Sequence, residues 1–137
     1  MPRIIAIDFG NKRTGLAVTD NLKMIATSLT TLHPKELIGF LKEYITKEVV
    51  ECVIIGKSNN LDNTENEIEK NIQSFIVDLK NNFPEMKIER MDERFTSKIA
   101  QRTIIDAGIK KMERRNKSLV DKVSATLILQ SYLEINK

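Results

Sequence analysis

The chain has 137 residues, of which 41% are hydrophobic and 30% charged, with a formal net charge of +3 at neutral pH. That is the balance of one soluble globular domain spanning 1–137, not of a disordered chain. No apolar run approaches the roughly 20 residues of a membrane helix and no signal peptide opens the chain, so a cytoplasmic protein without membrane contact is expected. The single cysteine, Cys52, excludes an internal disulfide and a cysteine-based zinc cluster. Without Trp and with 5% aromatics, a base-stacking platform for single strands would be poorly supplied.

Charge is unevenly spread. Residues 1–44 hold six Lys/Arg against four Asp/Glu, residues 45–93 six against eleven, and residues 94–137 ten against four. A basic C-terminal third favours a polyanionic partner, although solvated helix faces would give the same count.

The first element is the apolar run Ile4-Ile5-Ala6-Ile7, ending at Asp8-Phe9-Gly10, which predicts a strand buried on both faces. A short polar loop, Asn11-Lys12-Arg13, leads to a second strand over Thr14–Thr19, and a hairpin is the simplest connection. A third strand is expected within Met24–Leu32. His33-Pro34 then reads as a helix start, with Leu37, Ile38, Leu41, Tyr44 and Ile45 following at helical spacing. Cys52-Val53-Ile54-Ile55-Gly56 predicts a fourth, buried strand. A polar loop from Lys57 to Asn63 leads to a helix with a Thr64-x-x-Glu67 capping box and a stripe of Ile68, Ile72, Phe75, Ile76 and Leu79. Lys87–Met91 predicts a fifth strand whose polar alternation suits a sheet edge. A helix from about Thr96 to Ala107, a basic loop from Lys110 to Lys117 and a last helix from Ser118 to about Glu134 complete the chain. Three strands that can form a meander, then strand–helix alternation, predict a mixed α/β sheet with helices on both faces.

Asp8 is the first chemical candidate, a carboxylate at the C-terminal end of a buried strand, where open α/β sheets place their ligand crevices. The alternative is a turn aspartate satisfied by nearby amides. Lys12 and Arg13 beside it suit phosphate. Asp92-Glu93-Arg94 follows the last strand and can share that rim. Paired acids there could hold a divalent cation, against the plainer reading of solvated loop charges. Asp121 stands one turn into the final helix, where Ser118-x-x-Asp121 also fits a capping box. Together the three acids suggest carboxylates around two Mg²⁺ or Mn²⁺ ions about 4 Å apart, which would activate a water and stabilise a leaving oxygen. Such chemistry needs no histidine. Lone His33 reads as a helix boundary and Cys52 as a small buried hydrophobe. Gly56-Lys57-Ser58 follows a strand and its amides could face a phosphate, but Glu-Cys-Val-Ile-Ile at 51–55 lacks the upstream glycine of a P-loop.

Three segments in order, Asp8-Phe9-Gly10-Asn11-Lys12-Arg13-Thr14-Gly15-Leu16-Ala17, Asp92-Glu93-Arg94-Phe95-Thr96-Ser97 and Val120-Asp121-Lys122-Val123-Ser124-Ala125, resemble the YqgF (RuvX) family over nearly the whole chain. The resemblance implies an RNase H-like, mixed five-stranded sheet of order 3-2-1-4-5 with strand 2 antiparallel. It implies Asp8, Glu93 and Asp121 as metal-binding catalytic acids. Lys12, Arg13 and Arg94 would contact phosphate, and the loop holding Lys110, Lys111, Arg114, Arg115 and Lys117 would face the substrate. The family's Gly-Leu-Pro after the fourth strand is replaced by Gly56-Lys57-Ser58, which adds a cation at Lys57.

The function so implied is a metal-dependent endonuclease on structured nucleic acid, acting at the 5′ end of pre-16S rRNA, or alternatively a Holliday junction resolvase. A monomer would suit the RNA and a homodimer the symmetric junction. A non-catalytic binding factor in transcription or ribosome assembly is the alternative of another class. An actin-like phosphotransferase would need two such domains, more than 137 residues can form.

Overall fold

In the computed structural model, residues 2–20, 25–57, 63–92 and 117–135 are described. The helix expected at about 96–107 and the basic segment 110–116 lie outside them. The elements are β1 (Arg3–Asp8), β2 (Thr14–Thr19), β3 (Ala26–Leu32), a 3-10 turn (Pro34–Glu36), α1 (Leu37–Lys47), β4 (Val50–Lys57), α2 (Asn63–Asn82), β5 (Lys87–Asp92) and α3 (Lys117–Ile135).

The strands form one five-stranded sheet in the order β3-β2-β1-β4-β5. β2 is antiparallel to both of its neighbours, and β1, β4 and β5 are parallel. This is the expected α/β topology. β1 lies at its centre, which explains why Ile4 to Ile7 form an unbroken apolar run rather than an alternating one. Ile5 and Ile7 enter the core on one face with Leu37, Leu41, Ile72, Phe75 and Leu79, whereas Ile4 and Ala6 enter the core on the other with Ala125, Ile128 and Leu129.

Topology dictates which helix takes which face. The crossovers β3-α1-β4 and β4-α2-β5 both join parallel strands and step in the same direction across the sheet. The right-handed preference of such crossovers therefore sets α1 and α2 on the same face. α3 covers the opposite face. It buries Ala125, Leu127, Ile128, Leu129 and Ser131, a set too wide for a single stripe.

Local boundaries differ from expectation in four places. β4 begins at Val50, two residues before Cys52, and extends through Lys57, so Lys57 is a strand residue rather than the start of a loop. α2 begins at Asn63 and places Thr64 inside its first turn, not at the cap. α3 begins at Lys117, so that lysine belongs to the helix rather than to the basic loop, and Ser118 also stands inside the helix. The first helix is preceded by a 3-10 turn capped by His33, whose Nδ1 accepts the Lys35 N–H at 3.1 Å. The histidine is thus occupied at a helix boundary.

Candidate active site

Asp8 is the last residue of β1, half-buried, and stands directly opposite Gly15 of β2. Strand alternation puts it on the α3 face with Ala6, whereas Ile7 and Phe9 belong to the α1–α2 face. Directly opposed Cβ atoms in antiparallel strands stand about 5 Å apart, so a glycine there leaves space beside the carboxylate. On the other side, the register Ile7↔Ile55 makes Gly56 the next position along β4. The Asp8 carboxylate therefore has a glycine position on either flank.

The loop after Asp8 is fastened to α2. Phe9 packs its ring against Phe75 at 5.8 Å between centroids, and Asn11 Oδ1 accepts a hydrogen bond from Asn71 Nδ2 at 3.0 Å. Gly10 is required by a close approach: a Cβ there would collide with the Arg13 carbonyl oxygen. Lys12 and Arg13 are left exposed beside Asp8.

The parallel strands end together. Gly56 pairs with Met91 and Lys57 with Asp92, so the end of β5 lies about 10 Å from the end of β1, across β4. Glu93 and Arg94 follow β5 in sequence, outside the described residues, as do Lys110, Lys111, Arg114 and Arg115.

α3 packs on the Asp8 face of the sheet, with Ala125, Ile128 and Leu129 in one cluster with Ile4 and Ala6. Its Tyr132 hydroxyl hydrogen-bonds to the Glu89 carboxylate, whose row across the parallel strands is Ala6-Ile54-Glu89. Small residues on this face, Ala6, Ala17, Ala26 and Ala125, let helix and sheet backbones approach closely. Asp121 is four residues before buried Ala125, and its side chain lies outside the description.

Sequence reasoning passed over Arg90 and Glu69. Arg90 Nη1 and Nη2 donate to Glu69 Oε2 and Oε1 at 2.8 and 2.7 Å. Arg90 also donates to the carbonyls of Ile55 at 3.3 Å and Gly56 at 3.1 Å. These Arg90 bonds hold the Glu69 carboxyl down at about 2 against the opposing effect of burial, with Gln73 and the charge of Lys57 assisting. The only sequence signal was a charged pair at 89–90 in a strand with buried neighbours. Cys52, as expected, is buried; desolvation first, then Glu89, pushes its thiol up to about 11, which makes it unreactive at neutral pH.

The donor chemistry at Asp8 fits a hard divalent cation: a half-buried carboxylate at a strand end with room on both flanks. Among the described residues no three Asp, Glu, His or Cys side chains converge. Nor is any described helix long and apolar enough to cross a membrane.

Comparison with known proteins decides the family. A model of the RuvX family, described as Holliday junction resolvase, matches residues 2–135. The chain belongs to the RuvX family. A relative from Flavobacterium psychrophilum, named as a candidate pre-16S rRNA nuclease, is 53% identical over 133 residues, 97% of each chain. One from Bacteroides thetaiotaomicron with the same name is 53% identical over 134 residues, 98% of this chain and 97% of its own. The RuvX chain also shares its fold with fowlpox virus resolvase bound to Holliday junction DNA, at a TM-score of 0.60, 16% identity and 98% coverage of both. RuvC of T. thermophilus with a junction substrate superposes at a TM-score of 0.58, with 16% identity, over 97% of this chain and 96% of that one. At such identities these two establish the RNase H-like resolvase fold.

Proposed function

We propose that this RuvX protein is a cytoplasmic, metal-dependent endonuclease, a single RNase H-like domain that hydrolyses phosphodiesters of structured RNA at the immature 5′ end of pre-16S rRNA. The observation that carries the reading is the match to relatives of that name at 53% identity over 97% of both chains, with Asp8 at a shared strand-end edge. Asp8, Glu93 and Asp121 are the three acids that would hold Mg²⁺ or Mn²⁺, two ions in this reading, and the bound metal would supply an activated water and a charge to stabilise the leaving oxygen.

The chain's own residues do the rest. Asp8 is oriented by its strand and by the Phe9 and Asn11 anchors of the loop that follows. Glu93 continues in sequence the series Glu89, Met91, of which Met91 packs on the α3 face that Asp8 shares. Asp121 stands in the second turn of α3. Lys12, Arg13, Lys57 and Arg94 contact substrate phosphates around the edge, and Lys110, Lys111, Arg114, Arg115 and Lys117 extend that surface.

Incubating the protein with labelled precursor RNA and with a four-way DNA junction, in Mg²⁺ or Mn²⁺, tests this reading. Metal-dependent cutting of the RNA, lost in Asp8→Asn, is expected. The family model's description favours the junction as a second substrate. Symmetric nicking of the junction alone, by a homodimer that presents two sites, would replace the RNA reading. Binding without cutting of either would leave a non-catalytic assembly factor.

A further inference from the structure

Among the described residues, Glu69 has two cationic neighbours, Arg90 and Lys57, and Arg90 is the one that holds it. Arg90 grips both carboxylate oxygens. Lys57 lies near enough for its charge to favour the ionised carboxylate, yet its side chain is exposed at the end of β4. The odd positions Val53 and Ile55 of β4 face α2, and Lys57 continues that series on the side of Glu69. A planar guanidinium bound through two parallel N–H bonds outcompetes an ammonium, which is a compact and strongly hydrated point charge. The guanidinium also ties down the carbonyls of Ile55 and Gly56, the two residues before Lys57.

We propose that Arg90 is a positioning residue for Lys57: by occupying Glu69 and gripping the backbone just before Lys57, it leaves that ammonium to a substrate phosphate. The inference rests on the reading of the strand-end edge as the nucleic-acid site. Charge arithmetic gives it content. With Arg90 present, Arg90 and Glu69 cancel and Lys57 is surplus. Without the guanidinium charge, Glu69 and Lys57 cancel, and the edge loses one phosphate contact although Lys57 is still in the chain.

The test is equilibrium binding of labelled precursor RNA across a salt series without divalent metal, with thermal melts to verify folding. Lys57→Gln and Arg90→Gln should each reduce the log–log salt slope by about 0.7 to 0.9, the value of one phosphate contact. Adding Glu69→Gln to Arg90→Gln should restore the slope, because the competitor for Lys57 is gone. Arg90→Lys, which keeps the charge but not the two-pronged grip, should give a slope between those of Arg90→Gln and the unmodified protein. A double variant no better than Arg90→Gln alone, or an unchanged slope in Lys57→Gln, overturns the proposal. If Arg90→Gln does not fold, Glu69→Gln alone decides: a retained or steeper slope supports the proposal, and a shallower slope overturns it. Cleavage by Asp8→Asn is assayed separately, so failure of the nuclease reading is distinguishable from failure of this one.

Discussion

The Tyr132 hydroxyl donates its hydrogen bond to the Glu89 carboxylate, and so ties the C-terminal half of α3 to edge strand β5. That tie fixes the C-terminal half of α3 over the parallel strands. The bond is the main reason the Glu89 carboxyl sits below the ordinary carboxylate range. Tyr132→Phe should cost about 1.5–3 kcal/mol in urea unfolding, the usual worth of a hydrogen bond to a charged group. In an NMR titration the Glu89 carboxyl should move up toward its ordinary value. No upward movement would mean that Tyr132 does not hold it.

The Arg90–Glu69 pair predicts a pH dependence. Its folded carboxyl titrates at about 2, below the ordinary value of 4.5, so the stabilisation is complete above about pH 4.5 and is lost as pH falls toward 2. Because the Glu69 side chain is 33% exposed, solvent screening limits the effect to on the order of 1–2 kcal/mol. Urea midpoints between pH 5 and 2.5 should fall less steeply in Glu69→Gln than in the unmodified protein. Parallel curves would remove the pair from the acid response.

Asp8→Asn should leave the fold intact, since Asp8 ends its strand beside Gly15 and belongs to neither apolar cluster. Cleavage should fall by on the order of 100-fold or more, given that even outer partners of metal ligands are worth roughly 10- to 100-fold. Asp121→Asn should behave in the same way. If Asp121 is no ligand, its place in the second turn of α3 makes the substitution worth no more than about 0.5 kcal/mol of stability, and activity survives. Cleavage rates measured beside thermal melts separate the two.

Neutralising Arg114 and Arg115 together should weaken binding of precursor RNA and flatten its salt dependence by about 0.7 to 0.9 for each lost phosphate contact. An unchanged slope would return both arginines to a solvated surface. Filter binding from 50 to 200 mM salt is sufficient to distinguish these outcomes.

The elements were legible because their signals are local. Continuous apolarity in Ile4 to Ile7 and Val53 to Ile55 marks strands buried on both faces, and the spacing of Ile68, Ile72, Phe75 and Leu79 marks a helix with one core face. The strand order 3-2-1-4-5 came from the family resemblance carried by Asp8 to Ala17 and the two later segments, not from periodicity. Helix starts were less legible. Thr64 and Ser118 each satisfied a capping pattern, yet α2 and α3 begin one residue earlier, because a four-residue pattern constrains a boundary only weakly. Asp8 was visible as a carboxylate ending an apolar strand. Only the folded sheet shows that glycine positions 15 and 56 flank it, since they come from strands 7 and 48 residues away. Arg90 and Glu69 could not be paired from sequence at all: they are 21 residues apart, on different elements, and Arg90 looks like any other charge on an edge strand. Local pattern thus determined which of the described segments are strands and helices and where the first acid stands. Tertiary structure alone decided which charges meet, because a bidentate ion pair depends on sheet register and helix placement, which no run of neighbouring residues encodes.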